Sequence, residues 1–183
     1  MAEHGFALFA TPIGRCAIVW SERGIVAVRL PERRDSETRA RILKRFPDAR
    51  EALPPPPVQD ALERIVALLQ GQAIDLSSIA LDLDGVPDFD REVYGVARGI
   101  PCGSTSTYGE IAAQLNERGS ARDVGVALAR NPFAIVVPCH RVLAAGGKAG
   151  GFSAMGGLKT KLRLLMIERA IPQGLFEGSG LSS

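Results

Sequence analysis

The sequence predicts two units that meet near residue 86: a small α/β unit over residues 1–86 and a mainly α winged-helix unit over residues 87–183. Three observations support this division. Short apolar runs separated by turn residues fill the start of the chain, which is typical of antiparallel strands. Several short amphipathic segments with capping residues follow the linker. A glycine-rich segment near the end of the second unit is expected to form the wing beside a helix-turn-helix.

The first unit is expected to begin as an antiparallel sheet and to continue as helices. In chain order the expected elements are strands at residues 5–10, 16–20 and 25–30, helices at 35–46 and 58–70, and a short strand at 79–83. Asp35 or Ser36 is the expected cap of the first helix. The four prolines at residues 54–57 are excluded from a helix interior, so we expect an extended segment there. Residues 85–88 are the expected linker.

The second unit is expected to consist mainly of short helices. The expected elements are helices at residues 88–98, 109–115, 121–130 and 158–170, a strand at 135–137 and a glycine-rich hairpin at 144–151. Thr107 or Tyr108 is the expected start of the second of these helices. Ser120 and Asp123 have the S-x-x-D spacing of a capping box at the start of the third. Residues 116–119 form a tight turn between those two helices, so the pair predicts a helix-turn-helix.

Composition and charge limit the functional classes. No apolar stretch reaches the roughly 18 residues that span a bilayer, and the N-terminus lacks the pattern of a signal peptide. The three cysteines have no C-x-x-C spacing, which indicates reduced thiols and a cytoplasmic protein. The net charge is +2, but residues 87–183 carry 11 Lys/Arg against 8 Asp/Glu. This excess is compatible with an anionic partner such as nucleic acid, although an ordinary solvated surface is the simpler explanation.

An apolar run at residues 133–137 leads directly into the motif PCHRV at residues 138–142. Cys139 in this motif is either core filling or a nucleophile, because buried cysteines are common and a neighbouring base lowers the pKa of a thiol. Adjacent residues on a regular strand point to opposite faces. Cys139 and His140 can therefore cooperate only if the strand breaks near the motif or if a water bridges them.

Glu168 is the candidate partner of His140, since no other acidic residue lies between positions 123 and 177. A carboxylate behind a histidine fixes its tautomer and favours its cation.

The expected helix at residues 121–130 has an unusual exposed face. Its small residues include Ala121 and Gly125, and its long cations are Arg122 and Arg130. Small residues allow a helix backbone to approach another surface closely. That surface is either a neighbouring helix or the minor groove of DNA, which is about 6 Å wide.

Residues 89–170 closely resemble the O6-alkylguanine-DNA alkyltransferases, also called methylated-DNA–protein-cysteine methyltransferases. The matching stretches are IPCG at residues 100–103, TYGEIA at 107–112, ARDVGVALARNP at 121–132, PCHRV at 138–142 and GGFS at 150–153, followed by a helix with Leu164, Leu165 and Glu168. The first unit resembles the family in layout more than in motifs. The resemblance implies a ribonuclease-H-like α/β N-terminal domain and a winged-helix C-terminal domain.

The resemblance also implies a single-turnover DNA repair reaction. An alkyl group moves from O6 of a guanine in duplex DNA to Cys139, and the product is a stable thioether, so each molecule acts once. The guanine is flipped out of the stack, because its reacting atom is otherwise out of reach. The implied catalytic residues are Cys139 as acceptor, His140 as base through water, Glu168 as support of His140, Tyr108 as proton donor to the leaving base, and Asn131 as brace of the cysteine turn.

The same resemblance implies how DNA is held. Arg122 corresponds to the arginine finger that enters the gap left by the flipped base, where a planar guanidinium stacks and hydrogen-bonds. The other implied DNA- or base-binding residues are Ala121, Gly125, Thr107, Phe152, Ser153 and Val142. The expected partner is double-stranded DNA containing O6-alkylguanine. We expect a monomer without membrane attachment or cofactor. No zinc is expected either, because His4 and Cys16 alone are too few soft ligands in the first unit.

The sequence departs from the family pattern near the expected pocket. Phe152 stands where many members have tyrosine, so an aromatic face remains but a hydroxyl is lost. Ala134 stands where some members have proline, and the smaller side chain predicts room for alkyl groups larger than methyl. Residues 153–157 form a segment two residues longer than in some members.

Three alternatives remain open from the sequence. A non-enzymatic relative would bind alkylguanine without repairing it, but such proteins lack the cysteine that stands here at position 139. A winged-helix regulator would carry base-reading polar side chains on its recognition helix, whereas residues 121–130 are mostly Ala, Val and Gly. A cysteine hydrolase with Cys139, His140 and Glu168 would turn over on an ester or amide.

Overall fold

A computed structural model of the chain describes residues 3–116 and 119–171. The strands are β1 (Gly5–Thr11), β2 (Gly14–Ser21), β3 (Gly24–Arg29), β4 (Arg50–Glu51), β5 (Ser106–Thr107) and β6 (Val142–Leu143). The α-helices are α1 (Asp35–Arg45), α2 (Pro56–Leu69), α3 (Asp88–Arg98), α4 (Tyr108–Gln114), α5 (Ala121–Ala129) and α6 (Gly157–Ile167). Two short 3₁₀ helices cover Cys139–Arg141 and Ala145–Gly147. The fold therefore mixes helices and sheets, as expected.

The first unit is built on a four-stranded sheet with the order β3-β2-β1-β4. Strands β1, β2 and β3 pair antiparallel, whereas the two-residue β4 joins β1 in parallel. Alternate side chains of β2 point to opposite faces. Ala17 and Val19 pack with Ile42 of α1, and Ile18 lies in the main core with Ile65 of α2. The predicted strands at 5–10, 16–20 and 25–30 are confirmed.

Capping boxes fix the start of α4 and α5, and the sequence predicted the one at α5. The Thr107 hydroxyl accepts a hydrogen bond from the backbone of Glu110, whose side chain accepts from the backbone of Thr107. Ser120 and Asp123 make the same reciprocal pair at α5. These local bonds satisfy amides that a helix start leaves unpaired. Residues 117 and 118 of the predicted turn at 116–119 lie outside the described residues.

The two predicted units share one continuous apolar core. Residues of β2, β3 and α2 belong to the same buried cluster as residues of α3, α4 and α5. Val28 of β3 donates its backbone N–H to the carbonyl of Pro132 over 2.9 Å, and Val28 also forms a bridge with Phe133. The sheet edge therefore supports the segment that leads to Cys139. The division at residue 86 stays a prediction.

Two predicted strands are wrong. In place of a strand at 79–83, Leu81 makes a single bridge with Ile25, and the chain then turns as the Asp82 carboxylate accepts from the Asp84 N–H. In place of a strand at 135–137, the chain makes a turn in which Ile135 has φ 73°. The cause is the side chain of Asn131. It accepts one short hydrogen bond from the Phe133 N–H and donates another to the Val137 carbonyl.

The predicted hairpin at residues 144–151 is also wrong in the described structure. The segment contains the 3₁₀ helix Ala145–Gly147 instead of paired strands. Gly146 and Gly147 both have φ 74°, a conformation that glycine adopts without strain. The strand before this segment, β6, pairs in parallel with β5.

Helix α1 begins at residue 35 as predicted but has a different cap, and α2 begins two residues before its predicted start. Arg34, rather than Asp35 or Ser36, is the N-cap of α1, and it makes no side-chain capping bond. Helix α2 begins at Pro56 within the proline run, because the first turn of a helix tolerates residues that lack an N–H. None of the helices within residues 3–116 and 119–171 is long and apolar enough to cross a membrane.

Candidate active site

Cys139 lies at the start of a 3₁₀ helix that follows the turn held by Asn131. Its N–H donates to the Val137 carbonyl over 2.8 Å, and Asn131 donates to the same carbonyl over 2.9 Å. Both bonds fix the approach of the chain to the cysteine. Cys139 and His140 are thus not neighbours on a regular strand, which removes the objection that their side chains must point to opposite faces.

His140 is buried behind the cysteine and is paired with Glu168. The Nε2 atom of His140 and the Oε1 atom of Glu168 are 2.8 Å apart, and each side chain is only 1% exposed. The other ring nitrogen, Nδ1, is buried and has no hydrogen-bond partner among the residues that the structure describes. Because a carboxylate accepts hydrogen bonds, the pairing favours the tautomer with a proton on Nε2 and leaves Nδ1 free to accept one.

Arg141 completes this buried cluster, although the sequence analysis assigned it no role. Its Nε donates to Glu168 Oε2 over 2.8 Å, and its Nη2 donates to Oε1 over 2.9 Å. A third bond runs from Nη1 to the Ile100 carbonyl over 2.7 Å. Such a fork holds both oxygens of a carboxylate in one plane. The position of Arg141, directly after His140 in the PCHRV motif, was the available signal.

Glu168 is therefore held as a carboxylate. Burial alone raises the pKa of Glu168, but hydrogen bonds from His140 and Arg141, together with their charges, outweigh burial and lower this pKa to about 2. An ionised Glu168 orients His140 and stabilises a positive charge on its ring.

Lys161 is a second residue beside the site that the sequence analysis did not single out. It is fully buried on α6, and its ammonium donates to the Val142 carbonyl over 2.6 Å. The Nζ atom also lies 5.8 Å from the centre of the Tyr108 ring. Burial lowers the pKa of Lys161 to about 8, against the opposing effect of Cys139. Lys161 lies two helical turns before Glu168, and this spacing on one face of α6 was its sequence signal.

Opposing effects act on the Cys139 thiol. Burial raises the pKa of Cys139, whereas a hydrogen bond with Asn131, the charge of Lys161 and the backbone N–H groups of Cys139 and His140 lower it. The net effect is a raised pKa. The thiol is therefore mainly protonated at neutral pH, and a base must take its proton before it attacks.

A cavity of about 750 Å³ opens onto Cys139 from the side of α4 and α5. We call it the DNA-side cavity. Eight of the sequence-predicted site residues line it together: Cys139, Thr107, Tyr108, Ala121, Arg122, Gly125, Phe152 and Ser153. Burial raises the pKa of the Tyr108 hydroxyl, and the charge of Cys139 raises it further. Tyr108 is therefore protonated at neutral pH and available as a donor.

The remaining predicted site residues lie behind this cavity. Asn131 braces the cysteine turn, and His140 and Glu168 form the buried pair. Val142 does not fit its predicted contact with DNA, because it is fully buried. Its carbonyl instead accepts the hydrogen bond from Lys161.

Comparison with known proteins identifies the family. Residues 88–170 match the family model described as the DNA-binding domain of 6-O-methylguanine DNA methyltransferase. A methylated-DNA–protein-cysteine methyltransferase of Methanothermobacter thermautotrophicus is 36% identical over 89% of this chain and 84% of the relative. The chain belongs to the O6-methylguanine-DNA methyltransferase family. The resemblance drawn from the motifs is thereby confirmed.

Other members of the O6-methylguanine-DNA methyltransferase family extend this match. A methylated-DNA–protein-cysteine methyltransferase of Mycolicibacterium paratuberculosis is 47% identical over 60% of this chain and 64% of the relative. The crystal structure of Mycobacterium tuberculosis OGT in complex with DNA matches with a TM-score of 0.70 at 32% identity, covering 93% of this chain and 97% of that one. The structural match therefore covers both predicted units.

Proposed function

We propose that the protein is a single-use DNA repair enzyme that moves the alkyl group of O6-alkylguanine in duplex DNA onto Cys139. One observation carries this proposal. Cys139 faces a cavity lined by Tyr108 and Arg122, while the buried His140–Glu168 pair lies behind it. The nucleophile and the proton donor thus face one space that is open to solvent, and the histidine–carboxylate pair that supports removal of the thiol proton lies behind it.

The first step is removal of the thiol proton. Nε2 of His140 donates to Glu168, so Nδ1 acts as the base, and it takes the proton of Cys139 through a bridging water. The charge that develops on the imidazole ring is stabilised by Glu168, whose low pKa keeps it ionised. Arg141 acts through Glu168 as a positioning residue. The charge of Lys161 favours the thiolate as it forms.

The second step is a displacement at the alkyl carbon. The Cys139 sulfur forms a bond to that carbon while the bond from the carbon to guanine O6 breaks, and the electron pair remains with the base. The Tyr108 hydroxyl donates a proton to the leaving guanine, which becomes an ordinary guanine. No oxidant or reductant takes part. The product is a thioether that water does not readily cleave, so each molecule acts once.

DNA binding is assigned to α5 as the second helix of a helix-turn-helix. The exposed Ala121 and the half-buried Gly125 give α5 a narrow outer face that suits the minor groove. Arg130 is engaged by Asp90 over 2.8 Å, whereas Arg122 is exposed and lines the DNA-side cavity. Arg122 is therefore the residue proposed to fill the gap left by the flipped guanine. Thr107, Phe152 and Ser153 form the walls that receive the base.

The decisive experiment is intact-protein mass spectrometry after mixing with excess duplex DNA that contains O6-methylguanine. We expect one methyl group per molecule, located on Cys139, and no further turnover. Cys139→Ala should bind the DNA but gain no mass. Cys102→Ala is the matched control, because Cys102 is another half-buried free cysteine, and it should react like the wild type.

Other outcomes would identify another function. Tight lesion binding without a mass gain in the wild type would point to a non-enzymatic binding protein. Repeated turnover on an ester or amide would point to a cysteine hydrolase. The same proposal includes a monomeric state, a cytoplasmic location, a ribonuclease-H-like fold for the first unit and a winged-helix fold for the second.

A further inference from the structure

Arg130, at the C-terminal end of α5, takes no part in the proposed reaction steps. Its side chain is 56% exposed, whereas that of its partner Asp90 is only 2% exposed. The Nε atom of Arg130 donates to Asp90 Oδ2 over 3.1 Å, and Nη2 donates to Oδ1 over 2.8 Å. Within the part of the chain that the structure describes, Nη1 has no hydrogen-bond partner. A buried carboxylate thus holds one edge of a guanidinium group whose other edge faces away from it.

This ion pair fixes the direction of Arg130 more than it fixes the packing of α5. Tyr94 of α3 already donates to the Ala127 carbonyl of α5 over 2.9 Å, and Tyr94, Val124 and Ala127 lie in the main core. An exposed arginine without a partner loses much rotamer freedom when it binds a ligand. Because Asp90 holds two atoms of the guanidinium plane, Arg130 has lost part of this freedom before any ligand binds.

The position of Arg130 on α5 places it in line with the DNA-side cavity. Arg122, Val126 and Arg130 are spaced four residues apart, so they form one row along the helix. All three are exposed, and Arg122 and Val126 line the DNA-side cavity. At a rise of about 1.5 Å per residue, Arg130 stands about 12 Å along the helix from Arg122.

The dimensions of the minor groove indicate what this row meets. The groove is about 6 Å wide, whereas a helix with its side chains is about 10–12 Å across. Only the small residues of α5 fit over the opening, so a long side chain at the edge of this face meets the phosphates along the rim. One strand carries a phosphate about every 3.4 Å. The separation from Arg122 therefore places Arg130 beside a phosphate about three to four nucleotides away.

The charges around Arg130 suit an anionic group. Burial raises the pKa of Tyr94 and the charge of Asp90 raises it further, whereas the charges of Arg130 and of Arg45 on α1 lower it. Both cations thus act on the same place, where α1 comes close to the end of α5. Asp90, Arg130 and Arg45 together carry one net positive charge. A phosphate is attracted by this field even though Asp90 is ionised beside Arg130.

We propose that Arg130 binds a backbone phosphate of the DNA about three to four nucleotides from the flipped guanine, and that Asp90 positions it for this contact. This inference rests on the proposed binding of duplex DNA by α5. A phosphate contact adds affinity and fixes register without reading sequence. Arg130 is therefore a DNA-binding residue and not a participant in alkyl transfer.

The salt dependence of DNA binding tests this contact. Duplex DNA with one O6-methylguanine is titrated with Cys139→Ala, which cannot accept the methyl group. In the same background, Asp90→Asn combined with Arg130→Gln removes the guanidinium group and keeps the net charge. Each phosphate contact contributes a slope of about −0.9 to the logarithm of affinity against the logarithm of salt concentration. Between about 50 and about 200 mM salt, the double substitution should therefore reduce the rise in Kd about 3.5-fold.

The matched control is Asp84→Asn combined with Arg23→Gln, also in the Cys139→Ala background. Arg23 is another exposed arginine, it pairs with Asp84 over 2.8 Å, and it lies on the turn between β2 and β3. Because this pair is not on α5 and the net charge is again unchanged, the salt dependence should equal that of Cys139→Ala alone.

A neutral phosphate analogue locates the contact. One methylphosphonate is placed at each position in turn, on either strand, within about five nucleotides of the lesion. Cys139→Ala should lose affinity at a position about three to four nucleotides away, and the variant that also carries Asp90→Asn and Arg130→Gln should be insensitive there. Equal sensitivity of the two proteins at every position would overturn the inference, as would an unchanged salt dependence.

A single cooperative transition in urea shows that each variant is folded. If Asp90→Asn with Arg130→Gln lacks this transition, Asp90→Leu with Arg130→Met takes its place, because apolar residues often replace a buried ion pair without loss of stability. The same changes are expected, and their absence would overturn the inference. The proposed function fails separately, through a wild type that gains no methyl group from O6-methylguanine.

Discussion

Replacement of Glu168 by glutamine should change how the stability of the protein depends on pH. The pKa of Glu168 is lowered from 4.5 to about 2 in the folded protein. A carboxyl group with a lowered folded-state pKa stabilises the fold fully above its unfolded-state pKa and loses this contribution as the pH falls towards the folded-state value. A difference of about 2.5 pKa units corresponds to about 3 kcal/mol at neutral pH.

The expected effect can be isolated by a difference measurement. The free energy of unfolding is obtained from urea titrations of the wild type and Glu168→Gln at pH 7 and pH 3. By linkage, the wild type should lose about 2 kcal/mol more than the variant across this interval, since only the wild type carries the titrating group. At pH 7 the variant should be less stable by about 3–5 kcal/mol, because Arg141 loses its buried partner.

A clear result would refute this reasoning. If the stability difference between the wild type and Glu168→Gln is the same at pH 7 and pH 3, Glu168 does not titrate with a lowered pKa in the folded protein. Glu110→Gln is a useful comparison, because Glu110 is an exposed carboxylate in the capping box of α4. Its replacement should change the stability only slightly, because glutamine at this position of a capping box still accepts the backbone hydrogen bond.

Three further predictions concern the reaction itself. Lys161→Met should raise the pKa of Cys139, because the positive charge that favours the thiolate is removed. Its reaction with iodoacetamide at pH 7 should therefore slow severalfold. An unchanged rate would show that Lys161 serves packing alone. Tyr108→Phe should slow transfer from O6-methylguanine about 100-fold, because the proton donor to the leaving guanine is lost. The reaction of Cys139 with iodoacetamide should keep its wild-type rate. Equal slowing of both reactions would instead indicate that the substitution lowers the reactivity of the Cys139 thiol itself. Arg122→Ala should slow repair of duplex DNA at least tenfold but should leave the reaction with the free base O6-benzylguanine at the wild-type rate. Arg91→Ala is the control and should repair duplex DNA normally. If Arg122→Ala also repairs duplex DNA normally, Arg122 does not fill the gap left by the flipped guanine.

The elements predicted correctly are those whose signals are local. The three strands at the start of the chain follow from apolar runs between turns. The start of α5 follows from Ser120 and Asp123, which are three residues apart and bond to each other directly. A pattern of nearby residues is sufficient where the interaction that fixes the element is itself nearby.

The wrong predictions share a different cause. The apolar run at residues 133–137 has the composition of a strand, but the side chain of Asn131 accepts and donates backbone hydrogen bonds that close it into a turn. The composition of the run does not reveal this competition. A side chain that bonds to nearby backbone overrides strand propensity here.

The motifs predicted most residues of the candidate site. Arg141 and Lys161 were not predicted, because their contacts are with residues distant in sequence. Arg141 meets Glu168 across 27 residues of sequence, and Lys161 meets Val142 across 19. No spacing rule connects such pairs before the fold is known. Val142 was placed at the DNA interface for the same reason, since sequence alone does not distinguish a buried motif residue from an exposed one.

The bond between the sheet edge and the cysteine turn also bears on how the protein matures during synthesis. Val28 leaves the ribosome long before Pro132, whose carbonyl it binds, and Glu168 follows later still. The turn that presents Cys139 and the carboxylate that orients His140 therefore both wait for downstream chain. The arrangement of base, thiol and cavity that alkyl transfer requires is therefore complete only after Glu168 has been synthesised and has folded back onto His140.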